Sequence, residues 1–199
     1  MRTEYCDMPS TDDSKTEIRV VRCQEDYAKV IAIRAIVYIG EQRCPYDEEF
    51  DGNDYSATQF LAFVDGEPVG TLRIRYFADF VKCERLAVRP EYREGQVAER
   101  LLQYAFDLCG KKGFRVVVGQ TQARLIPYMQ KHFGAKVVGE KHNFSDHEYF
   151  PVNIPIRSRN DSFGLDTDPM ILVRPEGEWD VPGILERSMS RAATNPGAD

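Results

Sequence analysis

Two apolar runs, Phe60-Leu61-Ala62-Phe63-Val64 and Val69 to Tyr76, are separated only by Asp65-Gly66-Glu67-Pro68. An Asp-Gly turn between hydrophobic runs is a strong short-range hairpin signal, so the segment predicts two antiparallel strands. A third strand, Val81 to Val88, closes at Arg89-Pro90 and completes a meander. From Gln96 to Lys112 the period changes. Val97, Leu101, Leu102, Ala105, Phe106 and Cys109 recur on one side of a helix that ends at Gly110/Gly113. Phe114 to Val118 is a short all-apolar strand of the kind found at a sheet centre.

The flanks extend this pattern. Glu17 to Cys23 reads as a strand, and a helix starting at Gln24 or Asp26 runs to about Ile39, with Val30, Ile33, Ile36 and Val37 apolar. Ile31 and Ile39 widen that stripe, which predicts a helix covered on more than one side. Downstream, 122–133 reads as a helix and Ala135 to Val138 as a strand. Tyr149 to Ile156 and Met170 to Arg174 are strand candidates, and Ile184 to Ala193 is a short terminal helix. Alternating strands and helices with a central meander define a mixed α/β fold. The chain divides into an N-terminal arm (1–16), one α/β domain (17–156) and a C-terminal extension (157–199) packed on that domain. Internal repeats and long linkers are absent.

At 42% hydrophobic residues the chain can bury a core. Its net charge of −6 argues against a general nucleic-acid binder. That charge is segregated, because residues 111–142 carry Lys111, Lys112, Arg115, Arg124, Lys131, Lys136 and Lys141 against Glu140 alone. This block is either a solvated lysine-rich face or the seat of a phosphate-bearing or acidic partner. No apolar run is long enough to span a bilayer. The polar start Met1-Arg2-Thr3-Glu4 lacks a secretory pattern, so a soluble cytoplasmic protein is expected. Five cysteines without C-x-x-C spacing suggest neither a disulfide frame nor a zinc site. His132, His142 and His147 match no zinc spacing either, so no metal is expected.

Chemistry concentrates in the strand–loop–helix from Glu84 to Leu102. A loop entering a helix leaves backbone N–H groups unpaired, and these favour an anion such as phosphate. Arg93 adds a positive charge there, while Gly95 and Ala98 permit close approach. Leu86-Ala87-Val88, Pro90-Glu91-Tyr92-Arg93 and Arg93-Glu94-Gly95-Gln96-Val97-Ala98 together resemble the signature of the GNAT superfamily of N-acyltransferases. In that family a Leu-Ala-Val strand leads into a loop (Arg/Gln)-x-x-Gly-x-(Gly/Ala) that grips phosphopantetheine. Gln96 stands where the family has its central glycine. The resemblance covers about residues 17–140 and implies a mixed central sheet flanked by helices. It also implies donor binding by Leu86, Ala87, Val88, Arg93, Glu94, Gly95, Gln96, Val97 and Ala98.

Arg34, Val37, Tyr38, Glu41, Gln42, Pro45, Glu49, Asp51, Asp54 and the run Val69-Gly70-Thr71-Leu72-Arg73 are similar to two GNAT branches. One comprises the acyl-homoserine-lactone synthases and N-acyl amino acid synthases; the other is a set of small bacterial acetyltransferases. In the first, the positions of Arg34, Asp51, Asp54 and Arg73 are characteristic, and the donor is usually acyl carrier protein. There a Glu precedes the Arg85 position by three residues, where this chain has Lys82. The first branch implies an acyl-phosphopantetheine donor, on acyl carrier protein docked to segment 111–142 or on CoA, with no permanently bound cofactor. The acceptor is a small amine such as an amino acid. Alternatives are an acetyl-CoA-dependent N-acetyltransferase and a non-catalytic acyl-pantetheine-binding module.

Amine attack on a thioester needs a neutral amine, an oriented carbonyl and a proton for the leaving thiolate. Glu84 is the candidate general base, its carboxyl expected to be raised by partial burial, and Tyr128 the candidate acid. Arg34, Tyr38, Asp51, Asp54 and Arg73 are candidates for binding the acceptor or shaping its pocket. Arg34 falls in an apolar helix face and requires a carboxylate, with Asp51 or Asp54 the natural partner. Arg73 either holds an acceptor carboxylate or faces solvent. The acidic run 47–54 reads as a solvated loop rather than a lid.

Overall fold

The computed structural model describes residues 16–144 and 146–192. Residues 1–15 of the N-terminal arm and the chain end beyond residue 192 lie outside the described residues, and Thr16, assigned to the arm, opens the first strand. Eight strands form one sheet: β1 (Thr16–Val20), β2 (Ala57–Val64), β3 (Glu67–Tyr76), β4 (Val81–Val88), β5 (Val116–Gln122), β6 (Lys136–Val137), β7 (His142–Phe144) and β8 (His147–Pro155). Their spatial order is β1-β2-β3-β4-β5-β8-β6, with β7 on β8. The pairings are antiparallel except β4–β5, which is parallel.

Helices cover both faces. On one, α3 (Val97–Lys111) buries Val97, Leu101, Leu102, Ala105, Phe106 and Cys109 against Phe60, Leu72, Ile74 and Val117. Each of the buried Val, Leu, Ile and Phe side chains contributes roughly 1.5–3 kcal/mol. Gly70 of β3 lets α3 come this close, since a Cβ there would sit 3.0 Å from both Leu101 and Val97. The other face is smaller. There α1 (Gln24–Arg34) packs Val30 and Ile33 on Leu61, Phe63 and Ala87. Its buried stripe is Val30, Ile33, Arg34 and Val37, whereas Ile36, expected inside, is half exposed. The helix continues from Ala35 to Glu41 as a π-helix, closed by Gln42 N–H to the Val37 carbonyl at 3.1 Å. The wider turn sets Tyr38 toward β4, where its hydroxyl donates to the Leu86 carbonyl at 2.8 Å. A short α2 (Tyr46–Glu49) follows, and α4 (Ile126–Phe133) ends on left-handed Gly134.

Beyond β8 the Met170–Arg174 strand expectation fails. The segment forms α5 (Pro169–Leu172), because Pro169 opens the turn and Asp168 accepts from the Met170 N–H at 2.9 Å. α6 spans Ile184–Met189. The extension is strapped to the α3 side by Lys111–Asp161 at 3.0 Å and Lys112–Glu176 at 2.8 Å. Gly177 lies against Val20 and Tyr104. Among the described residues no helix is long and apolar enough to cross a membrane.

Candidate active site

Strands β4 and β5 pair only at Val81–Val117 and Lys82–Val118. Beyond that point they part, so Cys83–Val88 and Gly119–Gln122 leave facing edges without a ladder between them. β4 is also bulged. Thr71 opposes Ala87 while Arg73 opposes Glu84, which places one extra residue in β4. Arg85 absorbs it with φ of 52°, and a bulge of this kind re-aims side chains beside a site. The opening leads to the start of α3, where the first bond carried over from the cap is Arg100 N–H to the Gln96 carbonyl at 2.9 Å. Helix geometry therefore leaves the amides of Val97, Ala98 and Glu99 without helical acceptors, which favours an anion there.

Arg93 sits at this loop but is engaged. Its Nε donates to the Val88 carbonyl at 2.9 Å, and its two terminal nitrogens grip Glu41, the last residue of the π-helix. Arg124, just beyond β5, also acts electrostatically on Glu41. Tyr128 of α4 donates to Glu99 of α3 at 2.9 Å and stacks on His132 at 4.3 Å. Burial and the Glu99 carboxylate push its phenol up to about 12, so it stays protonated at neutral pH.

On the α1 face lies an ion-pair network whose extent sequence reasoning missed. Arg34 and Arg73 are both completely buried. Arg34 bonds Glu49 through Nε and Asp54 at 2.6 Å. Of the two partners expected for Arg34, Asp54 is found, and Glu49 joins it in place of Asp51 because α2 turns Glu49 inward. Arg73 bonds Asp51 at 2.6 Å, Asp54 at 2.9 Å and Glu84 at 2.7 Å. It neither faces solvent nor has a free edge for an acceptor carboxylate, since three protein carboxylates already surround it. Arg85 reaches Glu49 at 3.0 Å and Asp51 at 3.3 Å. Gln59 donates to Asp54 at 3.0 Å. The run 47–54 is only partly solvated: Asp47, Glu48, Phe50 and Gly52 are exposed, while Glu49 is buried and the carboxylates of Asp54 and Asp51 turn into the network.

The raised carboxyl expected of Glu84 is also corrected. Burial pushes it up, but the Lys82 ammonium at 2.7 Å and the Arg73 guanidinium outweigh that and hold it below the usual carboxylate range. The same balance depresses Asp54 through Arg34 and Arg73. Asp51 is lowered by Arg73, the Asn53 N–H and Arg85 against its burial. Cys83 points to the opposite, α3 face, and burial drives its thiol far up, which removes it as a nucleophile. Among the described residues no group of three His, Cys, Asp or Glu side chains could hold a metal ion.

The basic segment does not form one face. Lys111 and Lys112 lie at the far end of α3 and are neutralised by Asp161 and Glu176, while Lys141 pairs with Glu148. Arg124 and Lys131, by contrast, flank or lie on α4, whose Tyr128 touches the first turn of α3.

Strands β4 and β5 part beside a bulge and an anion-favouring helix start. The profile of the acetyltransferase (GNAT) family matches residues 27–135, so the chain belongs to that family. It is 28% identical over 139 residues to the uncharacterized N-acetyltransferase YjcF of Bacillus subtilis (strain 168), covering 68% of this chain and 92% of that one. An acyl-CoA N-acyltransferase from Pseudomonas aeruginosa superposes with a TM-score of 0.63 at 21% identity, over 71% of this chain and 99% of its own. FeeM, an N-acyl amino acid synthase from uncultured soil microbes, reaches 0.63 at 12% identity over 88% and 99%. The protein is an N-acyltransferase that takes its acyl group from a thioester.

Proposed function

We propose that the protein transfers an acyl chain, longer than acetyl, from the phosphopantetheine thioester of acyl carrier protein to the amine of a small acceptor such as an amino acid. CoA is the other carrier of the same arm. The observation that carries the reading is the parting of β4 and β5 beyond Lys82 and Val118, which runs from the α3 amides toward Glu84. Unladdered strand edges there suit the amide groups of an extended pantetheine. The donor phosphate would lie near Val97 and Ala98, with Leu86, Ala87 and Val88 along the arm and Glu94, Gly95 and Gln96 forming the loop.

Two observations favour the carrier protein over CoA. Gln96 occupies the family's glycine position, and Arg93 is already bound by Glu41, so a pyrophosphate finds a less accommodating loop than a single phosphodiester. Arg124 and Lys131 beside the slot suit an acidic carrier. The likeness to FeeM extends over 88% of this chain, which supports an amino acid acceptor. In this scheme Glu84 receives the amine proton through a bridging water, and Tyr128 supplies a proton to the departing thiolate. Tyr38 and Asp51 shape the acceptor side, and the buried Arg34, Asp54 and Arg73 hold Asp51 and Glu84 in place from behind.

The acetyl-CoA reading has its own support, in that YjcF is named an N-acetyltransferase. Incubation with acyl carrier proteins of graded chain length beside acetyl-CoA, a mixture of amino acids and mass spectrometry separates the two. N-acyl amino acids formed from long-chain carrier protein support the proposal. Acetylated products alone would overturn it.

A further inference from the structure

The ion-pair network is unbalanced at one place. Its cations are Arg34, Arg73, Arg75, Lys82 and Arg85, and its anions Glu49, Asp51, Asp54 and Glu84. The deep part is short of positive charge, so Lys82 completes it. The cation in excess of the carboxylates is Arg75, which lies over the Phe77 ring and stands 3.8 Å from the same Glu84 oxygen that Lys82 holds at 2.7 Å. Arg75 and Lys82 stand directly opposite each other on β3 and β4. Like charges in that register repel unless an anion lies between them, and here one carboxylate oxygen serves both.

Their location gives the excess charge a use. Lys82 is the last β4 residue paired to β5, so the two cations stand where the strands begin to part. Both project on the face of Arg73 and Glu84, the face covered by α1. Their side chains keep 24% and 29% of their surface, open enough to meet a ligand yet partly desolvated, which strengthens a charge pair.

We propose that Lys82 and Arg75 form a carboxylate subsite that holds the acyl acceptor, which makes the acceptor an α-amino acid rather than a simple amine. In an α-amino acid the amine and carboxylate share one carbon. Glu84 lies within hydrogen-bond reach of Lys82, and this arrangement fits a carboxylate on the cations with its amine beside Glu84. The proposal rests on the acyltransferase reading of the strand opening and deepens it.

The test uses the full chain and matched acceptors: phenylalanine with 2-phenylethylamine, and leucine with isoamylamine. Saturation-transfer NMR reads binding without turnover, and thiol release from dodecanoyl-acyl carrier protein and acetyl-CoA reads transfer. We expect the wild type to bind and acylate the amino acids in preference to their amines. Lys82→Met should raise KM for the amino acid roughly 10- to 100-fold relative to that for the amine, the range of one lost charge-assisted bond, while any effect through Glu84, which Lys82 also holds, falls on both acceptors alike. Lys82→Arg should restore the preference. Thermal melts of each variant identify loss of folding, and Arg75→Met gives the same readout without touching β4. Equal binding of amine and amino acid by the wild type, or an equal loss of both in Lys82→Met, would overturn the subsite while leaving acyl transfer intact. Absence of thiol release with every pair would instead count against the donor reading, and the NMR preference would still decide the subsite.

Discussion

Glu49 is the carboxylate whose removal most exposes the energetics of the buried network. It is 1% exposed and lies between Arg34, with no exposure, and Arg85. Glu49→Met leaves a desolvated guanidinium with Asp54 and the Glu49 backbone carbonyl as its remaining partners. Breaking a buried pair from one side costs about 3–5 kcal/mol. Arg34→Met should fall at the lower end of that range, because Asp54 keeps Arg73 at 2.9 Å and Glu49 keeps Arg85 at 3.0 Å. Removing both partners together replaces the pair by apolar side chains, which is often neutral or stabilising. The double variant should therefore be more stable than Glu49→Met alone, with a coupling of about 2–3 kcal/mol. Urea unfolding followed by circular dichroism measures all four proteins. For a chain of this size the Glu49→Met loss corresponds to a fall in Tm of about 6–20 °C. Strict additivity of the two single changes, within about 0.5 kcal/mol, would refute the view that these charges stabilise one another rather than the fold at large.

Acid should weaken the same network. Asp51, Asp54 and Glu84 have folded values below their unfolded ones, so their stabilisation is complete above the unfolded carboxylate range and is lost as pH falls through the folded values. Glu49, raised by burial against Arg34 and Arg85, contributes in the opposite direction but is one group against three. Urea midpoints should therefore drop as pH is taken from 6 to 3, and a flat profile would contradict the assignment. Glu84→Gln should lower kcat by roughly 10²- to 10⁴-fold. Because Glu84 is ionised well below neutrality, the wild-type rate between pH 6 and 9 should follow titration of the acceptor amine, as kcat/KM profiles with amines of different basicity would reveal. Glu41→Gln frees Arg93 for the donor and should lower the donor KM about 2- to 5-fold, the value of an exposed ion pair. Gly70→Ala places a Cβ 3.0 Å from Leu101 and Val97, and should cost about 1–3 kcal/mol in a thermal melt.

The hairpin and α3 were legible because their signals are local: an Asp-Gly turn, and a periodic apolar stripe ending in glycine. Arg34 was legible as a buried cation for the same reason, since it occupies a stripe position between Val30 and Val37. Of its two partners, Asp54 was legible and Glu49 was not. Asp51, Asp54 and Glu49 are close in sequence, and only the short helix α2 decides which of them turns inward. Arg73 shows the limit more sharply. An arginine among Val69, Leu72 and Ile74 is compatible with an outward strand position until Asp51, Asp54 and Glu84 are known to converge on it. The π-helix after Arg34 and the bulge at Arg85 leave no mark on apolar periodicity, because each inserts backbone rather than changing side-chain character. Met170 to Arg174 misled for the converse reason, where β-branched residues follow a proline and an aspartate that together start a helical turn.

Those two backbone irregularities connect the halves of the site. The π-helix brings Tyr38 to the Leu86 carbonyl inside the bulge and Glu41 to Arg93 at the donor loop. The bulge directs Arg85 onto Glu49, Asp51 and the carbonyl of Glu48. A regular α-helix would rotate Tyr38 and Glu41 by different amounts relative to β4, and a regular strand would turn Arg85 to the other face. Each irregularity is thus held by a partner from the other element: Tyr38 anchors the bulge, and Arg85 anchors the loop that follows the π-helix. A donor phosphate that draws Arg93 from Glu41 acts on the end of the π-helix, three residues beyond Tyr38. On the proposed assignment of the site, donor binding at Arg93 is expected to act on the Glu49–Asp51–Asp54 side through one hydroxyl and one guanidinium. Tyr38→Phe, which removes the 2.8 Å bond to Leu86, tests this link. It should cost only about 1 kcal/mol of stability, the net worth of one neutral hydrogen bond. The acceptor KM measured at saturating donor should rise while donor affinity is almost unchanged. Equal changes in both would show that the hydroxyl supports the fold alone.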